Sequence, residues 1–387
     1  MADLEIFLQL STPLYAGSWE PNVVDVEFPL RAQTVKGWWR WWARAYAAGA
    51  LFDIGLLSDD STQTLDEISK IVGKEVGLGY ADPHGRDSEA SSYLINTIPL
   101  TKIQPKSISR QEKPLLQRIT LLTRTKEKIQ YVDRADFKIE ISLRKKVKED
   151  KLRLKAGIGA LFTALILSGF GKGGRRGLGC VDIREVKMKD SIFIERFEKI
   201  NASDVNSVKI LINETKNAYR TLVERVCNRP PSSSPLVPPL QSISDRRIGE
   251  STLRVFQIYS LEGRNILYNL HNFFVSTQRK RVLSEDPFRE KYIGWILGLP
   301  RKQKWTGYIV KDVERRASPF ILAVHQERAY LSLFISRDWP TEIEWVGSGS
   351  KHLTIDEESL IKAFSKAQSV FENYCRSTNT RFEVIWP

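Results

Sequence analysis

Residues 168–181 read SGFGKGGRRGLGCV, with six glycines and three basic side chains, Lys172, Arg175 and Arg176, in one short run. So much glycine allows tight turns and positive φ, and the cations call for an anion. The letters from Gly169 to Gly174 fit the G-x-G-x-x-G of a dinucleotide site. That site needs a strand before the glycines and a helix after them. Here the order is reversed. Residues 152–167 form an apolar, alanine- and leucine-rich helical stretch, and LGCVDIREV (residues 178–186) reads as a strand. Gly169 and Gly174 also have the P-loop spacing, but Arg175 and Arg176 stand where Lys and Ser or Thr are required. A glycine-rich turn entering a last strand remains, with cations placed for phosphate, so no cofactor is expected. The bland alternative is a tight turn with incidental charge.

The second informative stretch is TVKGWWRWWARAYA at residues 34–47. At ~100° per residue, Trp38, Trp39, Trp41 and Trp42 fall within one face, and Lys36, Arg40 and Arg44 lie opposite. The tryptophans are expected in the core, anchoring a helix over residues 34–50 on a sheet. Thr34 is the expected N-cap, which puts Lys36 and Gly37 in a first turn where free N–H groups attract phosphate. Gly37 costs helix stability there, and close approach of a ligand backbone would account for it.

The chain has 387 residues, 42% of them hydrophobic, and a net charge of +13. Residues 1–100 carry 7 Lys and Arg against 14 Asp and Glu, residues 101–190 carry 23 against 10, and the remainder 29 against 22. A middle this basic fits a polyanionic partner, or else a solvated lysine-rich surface. The longest apolar run, residues 156–170, is short of a membrane span. The acidic N-terminus reads as a strand rather than a secretory signal. Cys180, Cys227 and Cys375 are odd in number and have no zinc spacing. A cytoplasmic location, with no membrane contact and no metal, is expected.

The coarse order of the first 190 residues is strand (4–10), helix (34–50), strands (93–98, 118–123 and 136–143), helix (152–167) and strand (178–186). A helical stretch (191–227) and a Pro/Ser-rich linker or surface loop (228–247) follow. Then come a strand (253–259), a helix (265–277), a hairpin (318–336), a helix (357–375) and a strand (381–386). Each half is strand–helix–strand–strand–helix–strand, with one extra strand in the first. The expected fold is α+β: two tandem ferredoxin-like (RRM-like, βαββαβ) domains, 1–190 and 191–387, the second preceded by a connector over 191–250.

Taken together, GFGKGGRRGLGCV and VKGWWR resemble the RAMP superfamily of CRISPR-associated RNA-binding proteins. Members carry one or two ferredoxin-like domains, a glycine-rich loop before a last strand, and a Lys-Gly pair opening the first helix. The tryptophan-rich helix looks most like the branch found in the type III-B Cmr effector complex. The resemblance implies a non-catalytic subunit that contacts single-stranded guide or target RNA beside other Cmr complex subunits. Lys36, Gly37 and Arg40 match the helix motif, and Gly171, Lys172, Arg175, Arg176, Gly177 and Gly179 match the loop. Arg44 extends the basic stripe. The second half departs from the pattern, because CRSTNTR (residues 375–381) has no glycine.

Two other classes stay open. RAMP processing nucleases use a histidine, but His84, His271, His325 and His352 adjoin no other obvious catalytic group in sequence. A scaffold would use QRKR (278–281), RKQKW (301–305) and ERR (314–316) to hold neighbours. These stretches could also extend an RNA track, with Trp305 beside Lys304 either filling a core or hairpin position or stacking a base.

Overall fold

The structure, a computed structural model, describes residues 2–82, 85–108, 128–228, 230–231, 235–299, 301–303, 306–310, 316–347 and 349–387. The expected strand at 118–123, His84, Lys304, Trp305, Glu314 and Arg315 lie outside the described residues.

The chain is α+β. Its first sheet holds β1 (Leu4–Leu10), β2 (Tyr93–Pro99), β5 (Asp136–Leu143) and β6 (Val181–Met188) in the order β2-β5-β1-β6. All three pairings are antiparallel. The short β3 (Lys106–Ile108) and β4 (Ile129–Tyr131) pair separately. Strand β1 alternates buried and half-buried side chains, as a sheet covered on one face requires. That cover is α1 (Ala32–Asp53) and α3 (Lys151–Leu167); α2 (Thr62–Lys70) lies against α1. In α1, Val35, Trp39, Trp42 and Tyr46 recur at helical spacing and are all buried. From Leu154 to Leu167, α3 is buried at every position but Lys155.

The second sheet holds β7 (Phe256–Glu262), β10 (Phe320–Val324), β11 (Ala329–Phe334) and β14 (Arg381–Trp386) in the order β10-β11-β7-β14, again antiparallel. In both sheets the first strand lies between the third and the last. Strands β10 and β11 are buried along their whole length, so both faces of the sheet are covered. Helix α7 (Glu357–Ser377) supplies Phe371 against Tyr259, with ring centroids 5.5 Å apart. Helix α1 supplies Trp41 against Phe334 (5.3 Å) and Trp42 against Phe256 (6.2 Å). The first helix of the first half therefore also packs on the second half, and one core runs through both.

Four features differ from the sequence expectation. The helical stretch at 191–227 resolves into short 3-10 turns and then α4 (Val205–Val226), which packs on α1 and α3 of the first half. The Pro/Ser-rich stretch is not a surface linker over its second part. Val237, Ser242, Ile243 and Ser244 are buried, and the Ile243 N–H donates to the Ala45 carbonyl at 2.9 Å. This strap crosses α1 so closely that a Cβ on Gly49 would lie 2.1 Å from the Ile243 carbonyl oxygen. Its small side chains and prolines suit such a crossing; composition alone reads as a linker. A third sheet, β8 (Arg301–Gln303), β9 (Thr306–Ile309), β12 (Glu342–Val346) and β13 (Ser350–Thr354), was not expected at all. The helix expected at 265–277 is broken into α5 (Ile266–Phe273) and α6 (Ser276–Leu283).

Candidate nucleic-acid interface

The glycine-rich loop leaves α3, turns beside the start of α1, and enters β6. Its two ends behave differently. Gly171 (φ 73°), exposed, and Lys172, half-buried, form the tip, tied down by the Lys172 N–H donating to the Tyr15 carbonyl at 2.8 Å. A Cβ on Gly171 would lie 2.6 Å from that carbonyl oxygen, so the tip needs glycine for space as well as for φ. The back of the loop is buried and joins the second half. The Gly177 N–H donates to the Leu322 carbonyl (3.0 Å), and the Leu322 N–H donates to the Arg175 carbonyl (3.1 Å). The loop thereby covers the edge strand β10.

These bonds bear on the expected phosphate grip. The N–H groups of Gly169, Phe170, Lys172, Gly174, Arg176, Gly177, Leu178, Gly179 and Cys180 all donate within the protein. Among the described residues, those of Gly171, Gly173 and Arg175 do not.

The cations divide in the same way. Arg176 is 6% exposed. Its guanidinium donates to the Leu297 carbonyl (2.9 Å) and to Ser318 Oγ (3.2 Å) and lies 3.7 Å from the Phe274 ring centroid. It faces the joint. Arg175 donates to the Ser318 carbonyl (3.1 Å) and stacks against Trp38 and Trp41, 5.0 and 4.8 Å from their centroids. Burial, with repulsion from Arg316, pushes its guanidinium down to about 10. Lys172 Nζ donates to the Pro21 carbonyl and to Asn22 Oδ1, and burial lowers its pKa.

Helix α1 begins at Ala32 with Arg31 as its N-cap, so Thr34 is a helical residue and not the expected cap. Lys36, Arg40 and Arg44 follow one another at four-residue spacing. Burial and the neighbouring charge of Arg40 lower the pKa of Lys36; burial and Arg44 do the same for Arg40. Arg40 donates to the Gly79 carbonyl, and Arg44 is exposed. Among the described residues none of the three has a carboxylate partner. Like charges at this spacing destabilise a helix by roughly 0.2–0.5 kcal/mol per pair, and among the described residues only Arg40 of the three has a hydrogen-bond partner, the Gly79 carbonyl.

The tryptophan face is split. Trp39 and Trp42 are fully buried, and their indole N–H groups donate to the Gly157 carbonyl and Ser168 Oγ, each at 2.7 Å. Trp38 and Trp41 are half-buried, against the expectation that all four fill the core. With Thr34, Gly37, Gly171 and Arg175 they line a recess of about 340 Å³. A second recess of about 240 Å³ shares Thr34 and Gly171 and includes Lys172 and Arg31. Gly37 is exposed, and a Cβ there would meet nothing within 4 Å. The aromatic recess was not legible from the helix alone, because the loop side chain that completes it, Arg175, is distant in sequence.

His271 and His325 are buried. His271 Nδ1 lies 2.9 Å from the Arg176 carbonyl. His325 bridges the halves, with Nδ1 2.7 Å from Asp182 Oδ1 and Nε2 2.7 Å from the Ile166 carbonyl. Among the described residues no group of His, Cys, Asp and Glu is gathered to hold a metal ion, and no helix is long and apolar enough to cross a membrane.

Helix α1 thus carries a basic stripe, half-buried at Lys36 and Arg40 and exposed at Arg44, and a glycine-rich loop precedes the last strand of an antiparallel sheet. The RAMP superfamily model matches residues 7–182, a little under half of the chain. The fold of the whole chain is similar to the crystal structure of Cmr1 from Pyrococcus furiosus in its apo form, with 17% identity, TM-score 0.53, and 99% of this chain and 98% of that one covered. It is also similar to a chain of the type III-B Cmr-beta complex bound to cognate target RNA and AMPPnP in the presence of ssDNA, with 12% identity, TM-score 0.53, and 97% and 99% covered. A chain of the same complex bound to cognate target RNA matches at 12% identity, TM-score 0.50, over 97% and 99%. No curated protein sequence matches the chain.

Proposed function

We propose that this protein is a subunit-one type component of a type III-B Cmr effector, binding single-stranded guide or target RNA without cutting it. It is built of tandem ferredoxin-like domains at 1–190 and 191–387 and works in the cytoplasm beside other Cmr subunits. The shared strand order of the two sheets supports the tandem architecture. The RAMP match over the first half and the fold likeness over both halves support the assignment.

One observation carries the RNA reading. Lys36, Arg40 and Arg44 form a stripe without carboxylate partners among the described residues, on the helix whose first turns, at Thr34 and Gly37, lie beside the exposed Gly171. Phosphates passing along α1 meet Lys36, Arg40 and Arg44 in turn, and at the tip Lys172 and the amides of Gly171 and Gly173. Arg175, Arg176, Gly177 and Gly179 hold the loop in place from behind. Gly37 leaves the strand room against the helix. Binding without cleavage fits the two buried histidines, whose rings hold the fold together.

The test is fluorescence anisotropy of labelled single-stranded RNA at several salt concentrations, with a gel of the same samples. Salt-sensitive binding with intact RNA is expected, the slope of log K against log salt being about −0.7 per phosphate held. Shortened RNA would move the assignment to a processing nuclease. Absence of binding at low salt would leave a scaffold.

A further inference from the structure

The recess between α1 and the loop tip has a use that phosphate binding does not explain. The fold consumes Trp39 and Trp42 completely, yet leaves Trp38 and Trp41 half-buried. Their rings meet at 75° with centroids 5.6 Å apart and so make a corner. Among the described residues their indole N–H groups donate to nothing, unlike those of Trp39 and Trp42. Arg175 closes the corner with its guanidinium anchored on Ser318. Gly37 keeps the opening clear. At about 340 Å³ the recess is near the lower end of ligand-site volumes, roughly 300–1,000 Å³.

We propose that this recess receives one unstacked nucleobase of the bound strand, with Trp38 and the Arg175 guanidinium as stacking surfaces. The proposal rests on the RNA-binding reading and adds base capture to it. Lys172 lies in the adjoining recess that shares Thr34 and Gly171, so a phosphate flanking the base meets a cation there, and Lys36 and Arg40 on the far side of α1 carry the strand onward. A cationic protein side chain would be repelled there, whereas a base with its own phosphate is drawn in. Every base has a π-face, so stacking of this kind tolerates any sequence.

The experiment is the salt-dependent RNA titration with Trp38→Ala, Trp38→Phe, Gly37→Leu and the double variant Lys36→Ala/Arg40→Ala, each checked by thermal melting. Base capture predicts that Trp38→Ala weakens binding about 5- to 150-fold with an unchanged salt slope. Trp38→Phe restores most of the loss. Gly37→Leu, which fills the opening without removing an aromatic, also weakens binding while its melting midpoint does not fall, and it decides the matter should Trp38→Ala fold poorly. Wild-type affinity in both Trp38→Ala and Gly37→Leu, with a reduced slope in the lysine–arginine double variant, would overturn the base slot and leave RNA binding standing. A changed slope in Trp38→Ala would overturn it too, because the loss would then run through phosphates. Failure of the wild type to bind RNA at low salt would overturn both.

Discussion

The two halves share a strand order and differ in what is hung on it. In the first half the link from α3 to the last strand is the long glycine-rich loop, and α1 carries Lys36, Arg40 and Arg44. In the second half the equivalent link is a short turn at 378–380, closed by the Thr380 N–H on the Cys375 carbonyl at 2.9 Å. Its Asn379 takes the positive φ (51°) that glycine takes in the first half. The helix after β7, α5, contains no Lys or Arg. A common scaffold thus carries one decorated edge and one plain one, and the proposed RNA contacts lie on the decorated one. The loop itself repeats the lesson on a smaller scale: its tip is exposed at Gly171, and its back is a structural joint to β10.

The comparison is broken most directly at the basic stripe. Replacing Lys36, Arg40 and Arg44 with Ala should reduce the salt slope of RNA binding by about 2, from roughly 0.7 per contact. Replacing the exposed Lys362 and Lys366 of α7 should leave it unchanged; equal effects would abolish the distinction between the halves. The joint is tested next. Arg176→Ala leaves the Leu297 carbonyl without its guanidinium donor and takes one of two donors from Ser318 Oγ, and should lower unfolding free energy by about 1–3 kcal/mol in denaturant titrations. Lys172→Ala at the tip should lower it less.

Two glycines of α1 sharpen the contrast further. Gly37→Ala meets no neighbour and should raise stability by about 1 kcal/mol in thermal melts, whereas Gly49→Ala collides with the strap at Ile243 and should lower it. The smallest effect concerns acid. Burial pushes the Asp182 carboxyl up, but the hydrogen bond and attraction of His325 outweigh it and hold the pKa below the usual range. A carboxylate depressed in the folded state stabilises fully above its unfolded value, about 3.9. That contribution is lost as pH falls through the lower folded value. Denaturant titrations from about pH 5 downward should show this loss in the wild type and a flatter profile in Asp182→Asn.

Much of this was legible in the sequence because it is local. The strand at Asp136–Leu143 and the strand at Arg381–Trp386 alternate or cluster as strands do, and both occur at the expected bounds. The apolar helix before the glycines and the strand after them decide the loop's place without any tertiary information. The basic stripe follows from helical spacing alone. What escaped the sequence depends on contacts between distant segments. Trp38 and Trp41 share a wheel face with the core tryptophans, and it takes distant residues, Tyr93 and Gly157 on Trp39 and Phe256 and Ser168 on Trp42, to enclose the other two. Arg176 looks like its neighbour Arg175, yet Leu297 and Ser318 turn it inward. The strap at 237–244 has the composition of a linker, and only the burial of Val237 and Ile243 and the Ile243 N–H on the Ala45 carbonyl reveal that it packs across α1.

The central claim, that RNA follows α1 and the loop tip of the first half, is tested most directly by photo-crosslinking. A single-stranded RNA carrying 4-thiouridine is irradiated with the full-length protein, and the linked peptides are mapped by mass spectrometry. The account predicts crosslinks at residues 34–44 and 170–175. Crosslinks concentrated in α5 or at residues 376–381, with none on α1, would contradict it.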